Sequence, residues 1–126
     1  MGNAIRITAG DISLAAELND SETARAIYEA LPIEAPGNRW GEEIYFSIPV
    51  SQDLSDDARA EMEVGELAYW PPGSAFCIFF GPTPASHGNE PRAASPVNPV
   101  GQIAGDVAHL SEVPDGTVVT IDREER

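Results

Sequence analysis

Few residues that carry catalysis stand in a usable arrangement in this chain. Cys77 is the only thiol, and His87 and His109 are the only histidines. Cys77 lies among Phe76, Ile78 and Phe79. Apolar surroundings disfavour the thiolate, so it reads as a buried, inert cysteine rather than a nucleophile. A single cysteine forms no internal disulfide and no thiolate zinc site. The two histidines would need a carboxylate and a fold that joins them, so neither a metal nor a cofactor is expected. Asp53, Asp56, Asp57, Glu61 and Glu63 form an acidic run, but no glycine turn of a calcium loop accompanies it, and it reads as a solvated helix face. No phosphate-binding glycine loop, paired-histidine zinc motif or nucleophile elbow occurs. The aromatic residues offer more. Trp40, Tyr45, Tyr69, Trp70, Phe79 and Phe80 lie on or beside expected strands. They exceed what a small core absorbs, so some are expected to line an outer groove that takes a ligand.

The remaining composition bounds the partners. The chain has 126 residues, which suits one domain over 1–126. Seven arginines and no lysine stand against 21 Asp and Glu, so 7 − 21 = −14. Such a surface repels phosphate backbones and anionic lipid, and neither nucleic acid nor membrane is an expected partner. Hydrophobic residues make up 42%, too many for a disordered acidic chain. The first ten residues carry no apolar run of signal-peptide length, and the expected location is cytoplasmic.

Periodicity supplies the elements that must position those aromatics. Ile5 and Ile7, a turn at Gly10-Asp11, then Ile12, Leu14, Ala16 and Leu18 read as a β-hairpin. Ala24, Ile27, Tyr28 and Leu31 fall at helical spacing behind Asp20 or Ser21 as cap, so a helix is expected over about 21–31, stopped by Pro32. Residues 44–50, 67–70, 100–104 and 117–121 read as strands, and 75–80 as a strand covered on both faces. A short helix is expected from about 55 to 62 and one or two helical turns over 107–113. Pro36-Gly37-Asn38 and the proline-rich stretch 84–99 read as loops, the second long enough to be functional.

Three segments, in order, resemble cyclophilins, the peptidyl-prolyl isomerase family. Leu18 to Ala24 with its following helix is similar to the family's strand, P-K-T-A/V and first helix. Gly73 to Pro84 resembles G-S-Q-F-F-I-T-T-x-P-T-P at equal length, and Val100-Gly101-Gln102-Ile103 resembles V/T-F-G-K-V. Gly65 to Gly73 and Phe79 to Pro84 are most similar to a compact prokaryotic cyclophilin-like family of unassigned function. The resemblance implies a mainly β, closed eight-stranded barrel with a helix at each end. It carries the active site badly. Ala75 stands where the pattern has its glutamine and Cys77 where it has the pocket phenylalanine. The strand that should hold the catalytic arginine matches Ile44 to Ile48, which has none. Arg39 and Arg92 are the remaining catalytic candidates. The reading that follows is a non-catalytic module binding a peptide or small molecule in an outer groove, floored by Ala75, Cys77 and Phe79 with Tyr45 and Tyr69 nearby. A divergent isomerase using Arg39 or Arg92 is the alternative. A regulatory or assembly subunit with a protein partner is a third, since cyclophilin-like domains also occur within allophanate-hydrolase and kinase-inhibitor proteins.

Overall fold

A computed structural model describes residues 3–124. The chain opens on the expected hairpin, β1 (Asn3–Ala9) and β2 (Ile12–Leu18), turned at Gly10 with φ +61°. A left-handed residue at that turn is readily supplied by glycine. Helix α1 (Glu22–Ala30) follows, where the Ser21 side chain accepts from the Ala24 N–H and caps it. Ala24 and Ile27 are fully buried against the sheet, and the helix ends at Leu31 before Pro32.

The rest of the chain is strand: β3 (Ile33–Pro36), β4 (Asn38–Arg39), β5 (Glu43–Ser47), β6 (Arg59–Glu61), β7 (Glu66–Trp70), β8 (Ala75–Phe79), β9 (Arg92–Ile103) and β10 (Val118–Arg123). Two 3-10 turns, 71–73 and 108–112, complete the elements. All pairings are antiparallel, in the order β3-β10-β1-β2-β9-β7-β8-β5-β4, with β6 on β9 alone. The expected closed eight-stranded barrel is therefore corrected to a ten-stranded sheet that is not closed. Its end strands β3 and β4 are successive in the chain and separated by Gly37 alone, but no ladder joins them. Gly37 instead donates to Thr117 O at 2.8 Å and accepts from Gly116 N at 2.8 Å.

Two further expectations change. Residues 59–61 are strand rather than the end of a short helix, because their backbone groups pair with β9 while Ser55 Oγ and Asp57 close a local turn at 2.7 Å. Part of the proline-rich loop is strand as well: β9 runs unbroken from Arg92 through Pro96 and Pro99.

The sheet buries both faces over β5, β7, β8 and β9. One face holds the main core, including Ile44, Phe46, Leu67, Tyr69, Phe76 and Ile78 with α1 and the hairpin. The opposite face holds a smaller cluster of Met62, Ala68, Ala75, Cys77, Phe79 and Val97. β8 is buried at every position, as its two-faced apolar sequence requires. Asn98 is 1% exposed and fully engaged, donating to Thr23 Oγ1 at 3.1 Å and Asp53 O at 2.9 Å and accepting from Ser55 N at 2.8 Å. It ties α1 and the 53–55 loop to β9.

Candidate functional site

Strand alternation decides which side chains meet on the face away from the main core. In the β5–β8 ladder Tyr45 lies opposite Cys77 and Glu43 opposite Phe79, so all four share that face. In the β7–β8 ladder Trp70 lies opposite Ala75 and Ala68 opposite Cys77. Residues 98–102 of β9 pair with β7, whereas Arg92 and Val97 pair with β6. The strand leaves its neighbour part-way along and covers the small cluster with Ala93 and Val97.

A cavity of about 220 Å³ opens between these elements. β5 and β8 supply Tyr45 and Cys77, β7 supplies Trp70, and β9 supplies Ala93, Ala94 and Val97. Trp40 comes from the β4–β5 turn, where its N–H donates to Glu43 O at 3.0 Å. Gly41 holds that turn with φ +61°. A side chain there would press on the Thr83 backbone, 2.9 Å from an added Cβ. The Trp70 ring is fixed by its indole N–H to Ser95 Oγ at 2.7 Å and by the close approach of Gly73.

Among the described residues Glu43 is the one acidic residue lining this cavity, and it is 5% exposed. Burial lifts its carboxyl from 4.5 to about 7, opposed by a hydrogen bond with the Cys77 thiol. No arginine or histidine pairs with it among the described residues, whereas Glu42, Glu61, Glu66, Glu90 and Glu124 each have an arginine. The Cys77 thiol is pushed well above its ordinary value by burial first, then by the neighbouring Glu43. Cys77 is a free and buried cysteine, and its apolar surroundings disfavour the thiolate.

The residues expected to form a groove divide. Tyr45 and Cys77 line the cavity. Ala75 and Phe79 share their face but are packed in the small cluster and do not line it. Tyr69 does not line the cavity: it is fully buried in the main core, donates its hydroxyl to Val50 O at 2.6 Å and accepts from Gln52 N at 3.2 Å. One step of alternation separates it from Trp70, which does reach the cavity. Arg39 is bound elsewhere, to the carbonyls of Gly41 and Val113 (3.0 and 2.6 Å) and to Glu42 at 3.0 Å, with its guanidinium 5.2 Å from the Phe80 ring centroid. Arg92 is held by Glu90 at 3.1 Å and Glu61 at 3.2 Å. Neither arginine lines the cavity. Among the described residues no three metal-binding side chains come together, and no helix is long and apolar enough to cross a membrane.

Sequence reasoning missed Glu43, Ala93, Ala94 and Val97. Glu43 was legible as the residue two before Tyr45, on the same face, had β5 been started one residue earlier. The β9 residues were hidden by its prolines.

A family model described as Cyclophilin-like matches residues 3–122, nearly the whole described chain. The chain belongs to the cyclophilin-like family. A hypothetical protein from Archaeoglobus fulgidus, known from a solution structure, is 38% identical to this cyclophilin-like chain, covering 98% of it and 95% of the archaeal chain, with a TM-score of 0.82. No curated protein matches it. Membership gives the fold, while the cavity must speak for the chemistry.

Proposed function

We propose that this cyclophilin-like chain is a binding module whose cavity over β8 takes a small molecule or one side chain of a peptide. The carrying observation is the cavity itself: two tryptophans and a tyrosine on a mostly apolar wall that also holds the Glu43 carboxyl and the Cys77 thiol, with no arginine among the described residues turned into it. Prolyl rotation crosses a barrier of about 18–20 kcal/mol for peptide bonds in general, and its catalysis needs a donor or cation at the twisted amide. Arg39 and Arg92 are both engaged outside the cavity, which favours binding over the divergent-isomerase reading. At about 220 Å³ the cavity is smaller than the ~300–1,000 Å³ typical of drug-sized ligands, so it suits a small group.

The two tryptophans of the chain, Trp40 and Trp70, both line the cavity, so an occupant alters the protein's entire indole emission. Titration with an Ala-Pro peptide and with a set of small apolar fragments is expected to give a saturable fluorescence change for at least one probe. A protease-coupled assay on the same peptide is expected to show no turnover. Turnover lost in Arg39→Ala or Arg92→Ala would install the isomerase instead. Silence of the tryptophans toward every probe would remove the binding reading.

A further inference from the structure

Resting on that binding reading, we propose that the cavity recognises a methylated ammonium group, with its positive charge against the Glu43 carboxylate and its methyl groups against Trp40, Tyr45 and Trp70. Three features of the cavity converge on this ligand class.

The first is the unmatched carboxyl. Glu43 is buried, lines the cavity and has no cationic partner among the described residues, its neighbour being a neutral thiol. A buried carboxylate calls for an opposite charge, and the space where one could sit is the cavity. The second is the aromatic wall. The faces of indole and phenol rings are negative and attract cations most strongly where water is excluded. The third is what the remaining walls lack. Ala93, Ala94 and Val97 offer only apolar side chains. A primary ammonium would bring three N–H donors into a place with few acceptors. A quaternary ammonium brings none, and its methyl shell packs on apolar and aromatic surface. The net charge of −14 adds a field that gathers cations toward the protein.

A metal ion fits less well, because no cluster of three ligating side chains occurs among the described residues. The titratable groups facing Glu43 across the cavity are Cys77 and Tyr45. The thiol stays protonated, so Glu43 supplies the negative charge.

The test compares choline with 3,3-dimethyl-1-butanol, its neutral carbon isostere, at constant ionic strength and about pH 8, where the carboxyl is ionised. Tryptophan fluorescence and calorimetry read the binding. Choline should bind saturably and about tenfold or more tightly than the isostere, a gap that charge recognition by rings and carboxylate accounts for. Glu43→Gln, nearly the same shape, should lower choline affinity about tenfold or more and leave the isostere unchanged. Trp70→Leu should weaken both. Equal affinity for choline and isostere would overturn the cation while leaving a binding cavity. Apolar fragments or the Ala-Pro peptide binding where choline does not would do the same. Silence toward every probe would remove the cation and the binding reading together.

Discussion

Replacing Glu43 by glutamine should change how the stability of the fold depends on pH. The carboxyl titrates at about 7 when folded, against 4.5 as its ordinary value, because burial disfavours the anion. Between those values the native chain holds a proton that the unfolded chain has released. Stability therefore falls as pH rises from 4.5 through 7, and levels off above. At 1.36 kcal/mol per pH unit the full loss is about 3 kcal/mol, of which about 2.5 kcal/mol falls between about pH 5 and about pH 8. Glutamine keeps the shape and cannot ionise, so Glu43→Gln escapes that loss. Urea unfolding of both proteins at the two pH values gives the difference directly, and every other titrating group cancels in it. The variant should gain on the parent by roughly 2–3 kcal/mol from the lower to the higher pH. A difference that stays within about 0.5 kcal/mol, the scale of an ordinary surface substitution, would mean that Glu43 ionises freely and is not desolvated. A difference of the opposite sign would mean that the anion is stabilised by a partner.

Ile27→Ala should cost about 2–5 kcal/mol in denaturant unfolding, since Ile27 is fully buried under the sheet; under about 1 kcal/mol would place it outside the core. Gly101→Ala should destabilise by at least about 1–3 kcal/mol, because its Cβ would sit 2.3 Å from Glu17 O in the adjoining strand, and that backbone must move. A variant as stable as its parent would show that the β2–β9 ladder opens without penalty. Thermal midpoints should rise from low to moderate sodium chloride, because salt screens the −14 net charge over about 8–10 Å. A flat or falling midpoint would show that charge repulsion does not limit stability.

What could be read from sequence follows from how local each signal is. The first hairpin and α1 declare themselves within a few residues: alternation to either side of Gly10, then apolar residues at helical spacing behind Ser21. β9 does not. Pro96 and Pro99 are loop signals in sequence, yet the first half of β9 is paired only with short β6. At the second, the β7 ladder steps from Gly101 opposite Leu67 to Pro99 opposite Ala68. The extra residue, Val100, is a bulge that lets proline enter the strand. β6 was obscured by a competing local signal. Asp56 and Asp57 look like the acidic first turn of a helix, and only pairing with β9, more than thirty residues away, makes Arg59–Glu61 a strand. The bonding of Gly37 to Thr117 and Gly116, about eighty residues further on, is equally invisible in local sequence. Tyr69 and Trp70 show the same limit at the site: both are aromatic strand residues, and only the register with β8 says which turns inward.

Glu43 connects the energetics of the fold to the proposed binding site. A glutamine, or an apolar residue of similar size, would serve the β5–β8 pairing as well and avoid the penalty of ionising a buried carboxyl. Among the described residues arginines pair with five other carboxylates, and this one faces an aromatic cavity without any. A residue that breaks a rule of burial, where every neighbouring position obeys it, marks a place that folding alone does not explain. The same strand switch that hid β9 from sequence reading builds that place: β9 leaves β7 and carries Ala93, Ala94 and Val97 over the face that bears Glu43. An occupant that brings a positive charge would pull the Glu43 carboxyl down from about 7 and release a proton near neutrality. Calorimetry of choline binding in buffers of different ionisation enthalpy should therefore show proton release at about pH 6.5 that vanishes in Glu43→Gln. Release that persists in the variant would trace the proton to another group and separate the binding charge from Glu43.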